Sequence, residues 1–256
     1  MEELSRDLVL ALEQGELTVA LTPERLAAAQ ASGWLEGDAS PLLLQGDRLG
    51  WRRWLQAMEQ VVAELVERAH APLPKPVEAA DPELSDRLNA EQCAAVRALD
   101  QASVVLLSGG PGTGKTSTVV EILARAEARH PGLRIGLAAP TGKAARRLGE
   151  AVMAQRAPLP CSTLHRWLEA GSRGFGRHRQ RPLELDLLVI DEMSMLDLAL
   201  TQALLEALPS GCRLLLVGDP AQLPPVGSGA VWHRLQQSDV RGRFGAGAVH
   251  LSLIHI

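Results

Sequence analysis

No apolar run in the chain approaches the roughly 18 residues that a membrane-crossing helix requires, and the acidic start MEELSRD has none of the basic residues that open a signal peptide. These two absences predict a soluble chain with no membrane partner and a cytoplasmic location. Cysteine is scarce. Cys93, Cys161 and Cys212 are an odd number, set far apart and without a CxxC pair, so neither a disulfide framework nor a zinc or iron–sulfur site is indicated. They read as small apolar fillers. Lysine is nearly missing as well: of 26 basic residues only Lys75, Lys115 and Lys143 are lysine. Against that arginine-rich background, Lys115 and Lys143 both stand in glycine-flanked turns, a placement hard to attribute to chance.

What is present suffices for a sizeable core. At 256 residues, 46% hydrophobic and 22% charged, the chain can form one large domain or two small ones, which excludes a disulfide-stapled mini-protein and a disordered tail. The net charge of −4 hides an uneven distribution. Residues 1–100 hold 18 acids against 9 bases, residues 101–256 hold 12 against 17, and within 134–181 ten bases meet only Glu150 and Glu169. Such a segment either faces a polyanion or is a solvated surface.

Residues 1–70 read as a small, mainly helical N-terminal domain. Thr22 can cap a helix that has Pro23 at its first position and Gly33 at its end. LLL at 42–44 suggests a short strand or turn, followed by a long helix with Trp51, Leu55, Met58, Val62 and Leu65 on one face. Trp51 and Trp54 read as core ahead of base-stacking platforms. APLPKPVEAADPE (71–83) carries four prolines in 13 residues, too dense for helix or central strand, and is assigned as a linker. From residue 84 the pattern changes. VVLLS (104–108), LRIGLAAP (133–140), LLVID (187–191) and RLLLVGD (213–219) are short apolar runs separated by amphipathic helices, which predicts an α/β domain with a parallel sheet over 84–256. GSRGFGRHRQRP (171–182) looks like a mobile basic loop, either a nucleic-acid path or solvated.

Residues 109–116 spell GGPGTGKT, which fits G-x-x-x-x-G-K-[ST] and lies between a predicted strand and a predicted helix, where the phosphate-binding P-loop has to lie. The loop of Gly109, Gly110, Pro111, Gly112, Thr113 and Gly114 would wrap around the phosphates of ATP, its glycines letting backbone N–H groups turn inward. Lys115 would reach the β- and γ-phosphates, and the Thr116 hydroxyl would ligate Mg2+. LLVIDE then supplies Asp191 as the metal-side acid and Glu192 as candidate general base for hydrolysis. The triphosphate is thus expected to lie across the tips of adjacent parallel strands, held at one and cleaved through the acids at the next. RLLLVGDPAQLPPVGSG runs into a turn with Asp219 and Gln222, stiffened by Pro224 and Pro225. There Gln222 either hydrogen-bonds the γ-phosphate, reporting its departure, or is solvated. In LNAEQ, Gln92 either reads an adenine edge or closes a capping box with Asn89.

LNAEQ, GGPGTGKT, APTGKAARRL, STLHRWL, VIDEMSM and VGDPAQLPPV, in this order, resemble the RecD-type superfamily 1 DNA helicases over roughly residues 84–231. The segment PLLLQGDRLGWRRWLQAMEQ is similar to the one that precedes the helicase core in exodeoxyribonuclease V alpha subunits. The resemblance implies a P-loop RecA-like fold and an ATP-dependent 5′-to-3′ DNA helicase subunit of a recombination and repair nuclease-helicase. It also implies that the N-terminal domain contacts partner subunits of that heterotrimer. By the same resemblance Thr141, Gly142, Lys143 and Arg146, with Arg147 one turn on, would face the phosphates of single-stranded DNA. Thr163 and His165 would lie against the strand and Trp167 would stack on a base; the competing readings are helix cap, packed residue and core, with core favoured for Trp167. A free-standing RecD-like helicase, and a nucleotide- and partner-binding module with little turnover, are the alternatives. Such motors close a second RecA-like domain over the nucleotide, yet only 25 residues follow Val231. The last six, LSLIHI, resemble a translated sequencing adapter, so a truncated or chimeric reading frame is expected.

Overall fold

The computed structural model describes residues 2–37, 39–73, 84–86, 88–223, 225 and 227–253. Most of the expected linker, from residue 74 to 83, lies outside the described residues, as does Pro224. No helix among the described residues is long and apolar enough to cross a membrane.

The chain begins with α1 (Glu2–Glu13) and β1 (Thr18–Ala20). α2 (Pro23–Ala31) starts as its sequence dictates: the Thr22 hydroxyl accepts the Arg25 N–H at 3.2 Å and Pro23 occupies the first position. After β2 (Leu42–Gln45) and β3 (Arg48–Trp51) comes α3 (Arg52–Ala69). The three strands pair antiparallel in the order β1-β3-β2, a sheet that the sequence concealed because strands this short show no readable alternation. Leu4, Leu8, Val19, Ala29, Leu42 and Leu49 form a small core here. Trp51 packs on it with its ring 5.8 Å from that of Trp34. Trp54 packs against the larger core.

α3 buries Leu55, Met58, Val62 and Leu65 as expected, the last three in the core of the large sheet that follows. Met58, Val61, Val62 and Leu65 share a core with Val104, Leu106, Leu188 and Ile190, and Arg68 donates to the Pro209 carbonyl at 2.9 Å. An amphipathic stripe states that one face is buried and leaves open what covers it.

The remaining elements alternate: α4 (Ala90–Ala98), β4 (Val104–Gly109), α5 (Lys115–Arg129), β5 (Ile135–Ala139), α6 (Gly142–Met153), β6 (Cys161–Thr163) and α7 (Leu164–Trp167). The short strands β7 (Ala170–Gly171) and β8 (Gly174–Phe175) follow, then β9 (Leu187–Ile190), α8 (Leu198–Ala207), β10 (Arg213–Gly218), α9 (Val231–Gln236), α10 (Ser238–Arg241) and β11 (Ala248–Leu251). Six of these strands form one sheet in the order β11-β4-β10-β9-β5-β6, every pairing parallel. Successive side chains alternate between its faces. Val104, Leu106, Leu188, Ile190, Leu214 and Leu216 meet α3, α8 and α9, while Val105, Leu107, Val189, Leu215 and Val217 meet α4, α5 and α6. This three-layer α/β sandwich is the P-loop RecA-like parallel-sheet fold, with the small mainly helical segment ahead of it.

Two expectations need correction. The P-loop strand β4 and the acid-bearing strand β9 are not adjacent, because β10 runs between them and pairs with both. Strand spacings of about 4.8 Å place their tips roughly 10 Å apart, with the β10 tip in the gap. Sequence order does not dictate spatial order here, since a later crossover can insert its strand between two earlier ones. The segment 171–182 is also no structureless loop. β7 and β8 form a hairpin, His178 and Arg181 bridge, and Glu169 forms ion pairs with Arg177 at 2.8 Å and Arg181 at 2.5 Å. Two of its four arginines are thereby neutralised by one carboxylate.

Candidate functional site

Open parallel sheets bind ligands at the carboxyl ends of their strands, and there the chemistry-bearing residues converge. β4 ends at Gly109 and α5 starts at Lys115, so GGPGTG forms the intervening turn. Gly112 and Gly114 hold φ of +78° and +84°, a left-handed conformation that side-chain-bearing residues resist. The Lys115 ammonium folds back, donating to the Gly109 carbonyl at 2.6 Å and the Gly110 carbonyl at 2.8 Å. A Cβ at Gly110 would meet nothing within 4 Å, so the loop is open on that side. Thr116, in the first turn of α5, is exposed. An anion at this helix terminus meets its partial positive charge. The residues present therefore fit a triphosphate.

At the tip of β9, Asp191 accepts the Glu192 N–H at 2.9 Å. Burial drives the Asp191 carboxyl above the usual range; that N–H bond lowers it, the Glu192 charge raises it and the Lys115 charge lowers it. A carboxylate held at this cost in range of an ammonium suits a divalent cation completed by phosphate oxygens. No group of three or more His, Cys, Asp or Glu able to hold a metal occurs among the described residues. Because the folded-state pKa is raised, Asp191 costs the fold most when ionised, and the cost disappears as pH falls below the carboxylate range. Asp191→Asn is expected to raise the Tm of the nucleotide-free protein at pH 7, by about 2–4 °C per kcal/mol relieved. Paired thermal melts should show that gain shrinking towards pH 4, and an unchanged or lowered Tm at pH 7 would contradict it.

Glu192 sits at φ +56° and ψ +43°, a left-handed conformation costing about 1–2 kcal/mol for a non-glycine residue. The strain turns the chain into a 3-10 turn, Met193–Met195, that buries Met193 and Ser194. Between β4 and β9, the β10 tip carries Asp219, which is buried and accepts the Ala221 N–H at 2.8 Å. Gln222 is exposed, yet its Oε1 accepts from the Ser194 hydroxyl at 2.8 Å. Neighbouring Pro225 is buried. Ser194 escaped the reading of the sequence because no spacing rule links it to a residue 28 positions away.

Gln92 forms the capping box: its Oε1 accepts the Asn89 N–H at 3.0 Å, and Asn89 Oδ1 accepts the Gln92 N–H at 2.7 Å. Its Nε2 donates to the P-loop carbonyl of Thr113 at 3.4 Å, and the residue is buried. One acceptor site and one donor hydrogen of the amide are engaged within the protein, so Gln92 braces Thr113 and the loop while keeping a second donor and a second acceptor site.

A second feature lies beyond β5 and β6. Gly142, Arg146, Thr163 and His165 line one open groove of about 960 Å3, together with Arg166 and Met153. Thr141 caps α6 through the Ala144 N–H at 3.2 Å, and Thr163 caps α7 through the Arg166 N–H at 3.3 Å, so both hydroxyls serve helix starts. His165 is exposed and 6.3 Å from the Phe175 ring, whereas the Trp167 indole donates to the Leu137 carbonyl at 2.9 Å and packs on the core. Lys143 and Arg147 are exposed on α6. Of the cysteines, Cys212 is buried with its thiol pushed up to about 12 by desolvation, as befits an inert filler.

The family model described as "AAA domain" matches residues 92–228. The ATP-dependent RecD2 DNA helicase of Deinococcus radiodurans is 49% identical over 142 residues, covering 56% of this chain and 19% of that protein. The RecBCD enzyme subunit RecD of Mycobacterium tuberculosis is 43% identical over 225 residues, covering 80% of this chain and 39% of that one. This chain thus spans less than half the length of these curated relatives. The crystal structure of Pif1 helicase from Candida albicans aligns with a TM-score of 0.45 at 23% identity, over 66% of this chain and 40% of that one. With the P-loop between β4 and α5, the paired acids after β9, the glutamine turn after β10 and a family match over more than half its length, the chain belongs to the AAA domain family.

Proposed function

We propose that this chain comprises the first motor domain and preceding segment of an ATP-dependent 5′-to-3′ DNA helicase that works within an exodeoxyribonuclease V complex. The observation that carries the reading is the convergence of Lys115, Asp191 and Gln222 at the carboxyl ends of three consecutively paired strands, β4, β9 and β10. Lys115 holds the β- and γ-phosphates of ATP, and Thr116 and Asp191 hold Mg2+, which when bound neutralises phosphate charge. Glu192 accepts the proton of the attacking water as its oxygen bonds to the γ-phosphorus and the bond to the β,γ-bridging oxygen breaks. Gln222 contacts the γ-phosphate and loses that contact when phosphate leaves. Gln92 holds the loop through Thr113. The 5′-to-3′ polarity rests on the family resemblance and on no residue here.

Single-stranded DNA is the proposed occupant of the groove beside α6 and β6, with Lys143 and Arg146 supplying phosphate contacts that give affinity without sequence preference. Arg146→Ala is expected to weaken binding equally for unrelated single strands and to reduce the slope of log affinity against log salt by about 0.7. Fluorescence anisotropy titrations at several salt concentrations measure this, and an unchanged slope removes Arg146 from the path. The subunit reading is favoured over a free-standing helicase by the match to the mycobacterial RecD subunit, whose 80% coverage of the chain has to extend ahead of the motor domain. The test of the whole reading is ATP hydrolysis with and without single-stranded DNA, on this chain and on its full-length counterpart with partner subunits. DNA-stimulated hydrolysis is expected of the complete assembly, and a negligible rate there would defeat it.

A further inference from the structure

The turn that carries Asp191 and Glu192 continues into Ser194, whose side chain is wholly buried and whose hydroxyl lies 2.8 Å from Gln222 Oε1. Gln222 itself is exposed at the tip of the next strand, so its amide is tethered at one end and open at the other. We propose that Ser194 is a positioning residue for Gln222: by donating to Oε1 it turns the Nε2 amine outward as a hydrogen-bond donor for the γ-phosphate. This inference rests on the ATP reading above and names a part of it that the motif residues do not include.

Three observations carry it. Glutamine offers an acceptor and a donor end, and the two orientations of its amide present opposite polarity to a ligand. An anionic phosphate accepts only a donor, so the carbonyl end has to be occupied elsewhere, and the Ser194 hydroxyl is the group that occupies it. Second, the tether originates in the same turn as the acids, because the left-handed Glu192 directs the chain back under β10 and brings the hydroxyl beneath its tip. A shift of the Asp191–Glu192 turn therefore moves Gln222 with it, joining the metal-side acids to the group that contacts γ-phosphate. Third, Met193 and Leu196 are buried on either side of Ser194 and Met195, which anchors the turn that carries the hydroxyl.

The experiment is a double-substitution cycle read by equilibrium titration of this chain with ADP and with a nonhydrolysable ATP analogue, both with Mg2+. The ratio of the two affinities isolates the γ-phosphate and needs no turnover. Gln222→Ala and Ser194→Ala are each expected to lower the preference for the triphosphate by about tenfold, as loss of a hydrogen bond to a charged group would, with ADP affinity unchanged. The double variant should be no worse than Gln222→Ala alone, and Ser194→Cys, a weaker donor of similar size, should fall between serine and alanine. If Ser194→Ala leaves the ratio unchanged, or if its effect multiplies with that of Gln222→Ala, the tether is overturned while the ATP site stands. If the unsubstituted chain binds neither nucleotide, the ATP reading fails and the tether fails with it. A uniform loss of ADP and analogue affinity in Ser194→Ala, with a fallen Tm, would assign the hydroxyl to packing and also overturn the proposal.

Discussion

Lys115→Ala is expected to take ATP turnover to background, a loss on the order of 10²–10³-fold or more, while leaving the fold intact. The ammonium is the single positive side chain that the P-loop motif places at the phosphates, and in this structure it donates to the Gly109 and Gly110 carbonyls. Gly110 and Lys115 are half-buried and Gly109 is buried at the end of β4, so losing these bonds costs about 1–3 kcal/mol at most, where water does not replace the ammonium. The two consequences separate cleanly. Nucleotide titration should show weakened triphosphate binding and thermal melts should show a Tm near that of the unsubstituted chain. Retained turnover at saturating nucleotide refutes the assignment of the phosphate site, and a large fall in Tm would mean that the lysine is structural.

The second large effect is expected at Glu192. As general base its carboxylate contributes at the step where water loses a proton, so Glu192→Gln should reduce hydrolysis by about 10²–10⁴-fold with triphosphate affinity retained. That pattern is opposite to the one expected of Lys115→Ala, where binding falls too. Glutamine keeps the size of the side chain and the left-handed backbone at φ +56°, so the turn that places Ser194 should survive. Single-turnover measurements on the complete assembly, beside a binding titration, check both halves. Near-normal hydrolysis in Glu192→Gln would move the base elsewhere, with the Asp191 site unaffected.

These expectations draw unequally on sequence and structure. The phosphate loop was readable because its parts act within a few residues of one another: glycines that accept positive φ, a lysine at the start of a helix, an apolar run before it. The Thr22 cap, the Pro23 start and the four long central strands were readable for the same local reason. The Gln92 ambiguity was of another kind. Asn-x-x-Gln satisfies a capping box and an adenine contact equally well on paper, and only the tertiary structure shows the capping box formed with Asn89 and the amide also reaching Thr113. Thr141 and Thr163 repeat the lesson, since a hydroxyl that caps a helix and one that faces a phosphate look identical in a string of letters. The basic stretch 171–182 was misjudged because its ordering comes from Glu169, which precedes it, and from a two-residue strand pair too short to leave a pattern.

By itself the sequence nominated the side chains proposed to meet phosphate and metal, since each is marked by backbone conformation and helix polarity within one turn of chain. Tertiary structure alone decided which strand tips are neighbours. Buried parallel strands such as VVLL, LLVI and RLLLV are apolar on both faces, so nothing in their composition marks a preferred partner, and lateral order is chosen by helix packing and crossover geometry. That choice inserted β10 between β4 and β9, set α3 against the sheet, and brought a buried serine to a glutamine 28 residues away.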